Sequence, residues 1–156
     1  MNSNEISISE IVNSILASNT LKGNTVVFLP VKNKNKNKVY DRLISEVSKE
    51  FGKEQKRVLL VTEKNNLPIE DSILEICDID KFLKYNFEEK VSDYDMVLIL
   101  SPRFNNSPAS QTLVRKGKNV ILIIEEFLSK EGDLTDDLKE INNLGAEVLG
   151  AIYVEA

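Results

Sequence analysis

The run Asp95-Met96-Val97-Leu98-Ile99-Leu100-Ser101-Pro102 lies in the second half of this 156-residue sequence. Its unbroken apolar centre is typical of a strand that is covered on both faces, as in a parallel sheet. Pro102 is expected to end the strand, because proline has no N–H to donate to a sheet ladder. We therefore predict a buried strand over residues 95–101 within an α/β fold.

Five further segments on either side of this run are also predicted strands. Each is short and rich in β-branched or large apolar residues. They are residues 25–29, 57–62, 72–77, 119–125 and 148–154. Pro30 is expected to end the first of them.

Segments with the helical spacing of apolar residues separate these strands. The five predicted helices are residues 7–18, residues 39–51, a helix through Phe82, Leu83 and Val91, residues 107–116 and residues 134–144. In the first of them, Ser7 and Glu10 fit a capping box. Gly117 and Gly145 are expected to end the last two helices. The alternation predicts one domain over residues 1–156: a three-layer α/β fold with a mostly parallel sheet of about six strands and helices on both faces.

Composition excludes several classes of function. The chain has no histidine and a single cysteine, Cys77, which excludes His-dependent triads, ordinary structural zinc sites and an intrachain disulfide. A formal charge of −5 disfavours general binding of nucleic acid. No apolar run approaches the roughly 18 residues of a membrane span, and the N-terminus lacks a basic leader. We therefore expect a cytoplasmic protein without membrane insertion, in which Cys77 is a buried packing residue.

Three stretches of the second half carry a family likeness. Residues 92–102, 117–124 and 144–152 resemble the end of bacterial tyrosine kinases of the capsular and exopolysaccharide type. These kinases belong to the ParA/MinD-like P-loop NTPases. The preceding helix, strand, loop and helix, and then Lys56 to Val61, follow in the family's order from about Ser9. The resemblance implies a P-loop NTPase-like sheet with strand order 3-2-4-1-5-6.

The segment that the resemblance places at the phosphate site is residues 30–40. A working P-loop needs glycines, so that backbone amides can approach phosphate, and a hydroxyl residue for magnesium. Residues 30–40 contain no glycine, serine or threonine. They are rich in lysine, but unpaired lysines do not replace a preorganised set of amide donors. We therefore expect no nucleotide cofactor at this position.

Two aspartates of the family's metal site are replaced as well. The second predicted strand is followed by Thr62-Glu63-Lys64, and the Walker B position reads Leu100-Ser101-Pro102-Arg103. Because phosphoryl transfer depends on these groups, we interpret the chain as a pseudokinase without catalytic residues, cofactor or metal. The implied function is that of a non-catalytic, regulatory binding module. Its implied partner is a protein, either a membrane polysaccharide co-polymerase or an active kinase.

The family's ring assembly uses a glutamate followed by two arginines at three-residue steps on the first helix. At that spacing this chain has Glu10, Asn13 and Leu16. Neither asparagine nor leucine can form the charge-assisted hydrogen bonds of arginine. A ring of the family's type is therefore not expected.

Candidate binding residues follow the predicted strands, at the edge where open α/β sheets bind ligands. They are Lys32, Lys34, Lys36, Lys38, Arg103, Phe104, Glu125 and Glu126. The lysines form either an anion site or a solvated loop, and the Arg103-Phe104 pair either a partner contact or a plain polar loop. The two glutamates could hold a divalent ion, although no third carboxylate converges on them. The alternative function is a divergent nucleotide- or anion-binding enzyme that uses the lysines with one of these glutamates.

Overall fold

The computed structural model describes residues 23–31, 40–42, 45, 57–63, 75–104, 108–125 and 131–154. This part of the chain contains one six-stranded sheet, formed by β1 (Thr25–Val31), β2 (Val58–Thr62), β3 (Glu75–Asp78), β4 (Met96–Leu100), β5 (Asn119–Glu125) and β6 (Glu147–Val154). The strand order is β3-β2-β4-β1-β5-β6, and every adjacent pair is parallel. The predicted fold class and strand order are thereby confirmed.

Four helices connect the strands of the second half. They are α1 (Ile79–Phe82), α2 (Phe87–Val91), α3 (Pro108–Gly117) and α4 (Glu131–Asn143). Residues 40–42 and 45 are helical too, within the predicted helix 39–51, whereas the predicted helix 7–18 lies outside the described residues. None of the helices in the described ranges is long and apolar enough to span a membrane.

The central strands are covered on both faces. All residues of β1, β2 and β4 are buried, and successive side chains of a strand point to opposite faces. On one face, strand residues such as Val27, Val97 and Leu122 form a single hydrophobic cluster with Phe82 of α1 and Leu113 of α3. Burial on both faces explains why these strands are continuous apolar runs in the sequence.

The first strand does not end at Pro30, as the sequence predicted, but continues to Val31. Pairing of β1 with β4 ends at Phe28 and Leu100, whereas pairing with β5 continues through Pro30 and Val31. The Pro30 carbonyl accepts a hydrogen bond from the Phe104 amide at 3.0 Å. A proline is tolerated here because no ladder partner in β4 requires an N–H from it.

The predicted helix through residues 82–91 is two short helices. Asp78 caps α1 by accepting from the Lys81 amide, and Asn86 caps α2 by accepting from the Glu89 amide. Asn86 in extended geometry begins the second helix, because its side-chain oxygen satisfies an N–H that has no partner within the helix. The break therefore comes from capping chemistry that hydrophobic periodicity does not reveal.

The two glycines expected to end helices behave differently. Gly145 has a φ of 84°, and the Gly145 and Ala146 amides donate to Asn142 and Ile141 in a Schellman arrangement that confirms the prediction. Gly117 is instead the last residue of α3, and it is Lys118 that takes the left-handed conformation, with a φ of 68°. The prediction that Gly117 follows the helix and ends it was wrong. Glycine is needed at this position because the helix packs closely on β1.

Candidate functional site

The carboxyl ends of all six strands meet at one edge of the sheet, which we call the carboxyl edge. It is formed by the last strand residues and the backbone that follows them: Val31, Thr62, Asp78, Leu100, Glu125 and Val154. In sheet order, the ends of β2, β4, β1 and β5 are neighbours. The segments that follow these strands therefore begin at one edge of the sheet.

Of the candidate binding residues, Arg103, Phe104 and Glu125 lie within the described part of the chain. Arg103 follows β4 and is partly exposed, so it can still contact a partner. Glu125 is the last residue of β5, in register with Val154 of β6, and thus lies at the carboxyl edge. The four lysines and Glu126 lie outside the described residues.

Phe104 is placed differently from the expectation of a partner contact. Its side chain is only 4% exposed and belongs to the hydrophobic cluster between sheet and helices. Its amide donates to the Pro30 carbonyl, which joins the segment after β4 to the end of β1. An aromatic side chain at a strand end is more stable inside the core than in water, so Phe104 is a packing residue.

Tyr40 is a residue of this edge that the sequence analysis did not single out. It lies in the helical segment after β1, and its side chain is 1% exposed. Its hydroxyl lies 2.6 Å from the Ser101 carbonyl oxygen, to which it donates, and 3.2 Å from the Phe28 carbonyl oxygen. The phenol therefore joins β1 and β4 at the point where their pairing ends. The only sequence signal was an aromatic residue directly after a polar run.

The Tyr40 hydroxyl remains protonated. Burial, with a smaller contribution from the charge of Glu63, raises its pKa well above the usual value for tyrosine. A neutral phenol can donate to a carbonyl, while a phenolate could not. Two carbonyl oxygens meet the hydroxyl here, and the Phe28 carbonyl also accepts from the Ser101 amide at 3.0 Å. Each carbonyl is an acceptor that would repel an anion.

The neighbouring strand end also presents a neutral group. Thr62, the last residue of β2, is 0% exposed, and its hydroxyl oxygen has no hydrogen-bond partner among the residues that the structure describes. A buried hydroxyl without a partner costs about 1–3 kcal/mol, and it brings no charge that could attract a cation. In the described ranges, no group of three or more cysteine, aspartate or glutamate side chains is placed to hold a metal ion.

No model of a known protein family matches this chain, and no curated protein matches it in sequence. Solved structures do match. The kinase domain of VpsO superposes with a TM-score of 0.70 at 13% identity, over 99% of this chain and 97% of that one. The BceF tyrosine kinase domain superposes with a TM-score of 0.69 at 16% identity, over 97% of this chain and 77% of that one. The MinD cell division protein of Aquifex aeolicus superposes with a TM-score of 0.53 at 18% identity, over 82% of this chain and 68% of that one. This chain therefore has the P-loop NTPase-like α/β fold of bacterial tyrosine kinase domains.

Proposed function

We propose that this chain is a non-catalytic binding module, with the fold of a polysaccharide-biosynthesis tyrosine kinase but without its nucleotide site. The observation that carries the proposal is the position of Tyr40. Its buried ring and hydroxyl lie at the junction where the pairing of β1 with β4 ends, beside Phe28 and Ser101. In a P-loop NTPase, phosphate and metal lie beside the carboxyl ends of the strands that correspond to β1 and β4.

The chemistry of this junction opposes nucleotide binding. Phosphate is held by N–H donors and cations, and magnesium by carboxylate and hydroxyl oxygens. Here the junction presents the carbonyl oxygens of Phe28 and Ser101, already in hydrogen-bond contact with a phenol, and β4 ends in Leu100. The absence of glycine, serine and threonine from residues 30–40 supports the same conclusion.

The function that remains is recognition at the carboxyl edge. Loops after parallel strands carry binding in open α/β folds, and Arg103 is a partly exposed cation at this edge. Lysines 32, 34, 36 and 38 follow β1 in the sequence and would add positive charge. The partner that fits is a protein with an acidic surface. The likeness to kinase domains favours an active kinase or a membrane polysaccharide co-polymerase.

The test is thermal unfolding with and without millimolar Mg-ATP and Mg-ADP. A ligand at 100 times its Kd stabilises a protein by about 2.7 kcal/mol, which shifts the Tm of a chain of this size by roughly 5–10 °C. We expect no shift, whereas an active tyrosine kinase domain of the same fold, measured in parallel, shifts. A clear shift for this chain would contradict the proposal and favour the alternative of a divergent nucleotide-binding enzyme.

A further inference from the structure

A second candidate site lies beside the edge strand β3. A surface cavity of about 400 Å³ is lined by the apolar side chains of Leu59 and Cys77 and by the rings of Tyr85 and Tyr94. Because β2 and β4 separate β3 from β1 in the sheet, the cavity is distinct from the junction that Tyr40 occupies. Its volume lies within the range of small-molecule sites.

The carboxylates that line this cavity are already engaged. Glu75 accepts hydrogen bonds from Arg57 at 2.9 Å and from the Tyr94 hydroxyl at 2.6 Å. Asp78 accepts from the Lys81 amide at 3.0 Å, as the N-cap of α1. Both acids therefore have hydrogen-bond partners other than the lysine ammonium groups. The hydrogen bonds from Tyr94 and Arg57 lower the pKa of Glu75, and the charge of Lys90 helps to lower it.

The cavity also contains two ammonium groups, those of Lys81 and Lys90, and neither forms an ion pair with a carboxylate in the described part of the chain. The Lys90 nitrogen lies 4.4 Å from the centre of the Tyr85 ring and 5.9 Å from that of Tyr94. Contact with aromatic rings restricts a lysine side chain and leaves its N–H donors available. Together with Arg57, which pairs with Glu75, these lysines set three cations against the two carboxylates of the cavity.

Cys77 lines the same cavity as both ammonium groups. Burial raises the pKa of the Cys77 thiol; the charge of Lys90 opposes that rise, Asp78 adds to it, and Lys81 opposes it. The thiol is half-buried and lines the cavity itself. The cationic and apolar parts of the cavity are therefore close enough to be contacted by one small molecule.

We propose that this cavity binds an aromatic anion. Its phosphate or carboxylate group pairs with Lys81 and Lys90, and its ring lies against Cys77 and the exposed ring of Tyr85. An anionic group supplies an ion-pair partner for the two lysines, and contact between aromatic rings adds to the burial of apolar area. The ligand is either a free metabolite of this class or a phosphorylated tyrosine side chain of a protein, since both present the same chemistry.

The experiment uses Cys77 as a reporter, because it is the only cysteine of the chain. The rate of thiol alkylation is measured with phenyl phosphate, with inorganic phosphate and with phenol. We expect phenyl phosphate to slow alkylation at least fivefold at saturation, and neither half of the molecule to do so at the same concentration. Equal protection by phenol, or no protection by phenyl phosphate, would overturn the proposal.

Substitutions test the role of the two lysines. The double variant Lys81→Gln with Lys90→Gln should weaken binding of phenyl phosphate at least tenfold in calorimetry. The matched control is Lys84→Gln, which removes a charge from the turn between α1 and α2 without altering the cavity lining, and should bind like wild type. Unchanged affinity in a double variant with a normal melting temperature would refute the proposal. Tighter binding of a short phosphotyrosine peptide than of phenyl phosphate identifies a protein ligand, and equal or weaker binding a free metabolite.

Discussion

At the scale of single residues, Gly117 shows how closely α3 packs on β1. A Cβ atom at this position would lie 2.4 Å from Cγ2 of Val27, a distance that side-chain atoms do not adopt. Val27 is fully buried, and its branched side chain has little freedom to rotate away. Glycine is therefore required here for the approach of helix to strand.

Gly117→Ala should lower the free energy of unfolding by about 1–3 kcal/mol, as overpacking of a core does. Urea denaturation measures the change. Because the clash is with Val27, the same substitution in a Val27→Ala background should cost clearly less, and a double-mutant cycle isolates this coupling. Equal costs in both backgrounds would mean that the contact is not the cause.

At Lys118, the next residue, we expect a substitution by glycine to raise the free energy of unfolding. Its φ of 68° is unfavourable for a residue with a Cβ, and its amide closes α3 by donating to the Val114 carbonyl at 3.0 Å. Lys118→Gly should raise the free energy of unfolding by about 0.5–1 kcal/mol, because glycine adopts this conformation readily. Lys118→Ala removes the same side chain but keeps the Cβ, so it should give no gain. Equal stabilisation by both substitutions would contradict the argument.

At the scale of elements, one cluster joins the amino-terminal ends of three strands. Arg57 precedes β2, Glu75 begins β3, and Tyr94 lies just before β4. The Arg57 guanidinium lies 4.7 Å from the centre of the Tyr94 ring. Its Nε and Nη2 donate to one oxygen of Glu75, and the Tyr94 hydroxyl donates to the other. Because the Arg57 and Glu75 side chains are about half exposed, we expect the cluster to align the strands more than to stabilise them.

This cluster predicts a measurable titration. Burial, and then the hydrogen bond to Glu75, raise the pKa of Tyr94 to about 12. Since the folded state favours the neutral phenol, the stabilisation is present below pH 10, near the ordinary pKa of tyrosine, and is lost as the pH rises toward about 12. The difference in tyrosinate absorbance between wild type and Tyr94→Phe gives this pKa directly. Glu75→Gln should lower it, because the charged acceptor is removed, and a value near 10 in wild type would contradict the geometry.

At the scale of the whole molecule, the parallel sheet brings the ends of β2, β4, β1 and β5 to one edge, where we propose that a partner binds. Replacing Lys32, Lys34, Lys36 and Lys38 with glutamine should slow association with an acidic partner and flatten its dependence on salt, with an unchanged melting temperature. Capture of partners from native cells at low and moderate salt measures the effect. The control carries the same change in net charge at exposed Lys84, Lys116, Lys118 and Lys139. Equal retention of partners by both variants would show that the lysine run is a solvated connector.

Much of this architecture was accessible from sequence patterns. The apolar run 96–100, the β-branched segment beginning at Thr25 and the helix closed by Gly145 each depend on the chemistry of neighbouring residues, and the structure confirms all three. The strand order came from the family resemblance and is confirmed as well. Local periodicity and turn chemistry sufficed here, because burial on both faces of a sheet requires continuous apolar strands.

Long-range packing set the remaining features. The continuation of β1 through Pro30 depends on where β4 ends, and the burial of Phe104 depends on helices that follow it in the chain. The Tyr40 hydroxyl meets the Ser101 carbonyl across 61 residues of sequence, and Gly117 meets Val27 in the same way across the core. Such contacts join residues whose separation no periodicity encodes, because their distance is fixed only when strands and helices pack together.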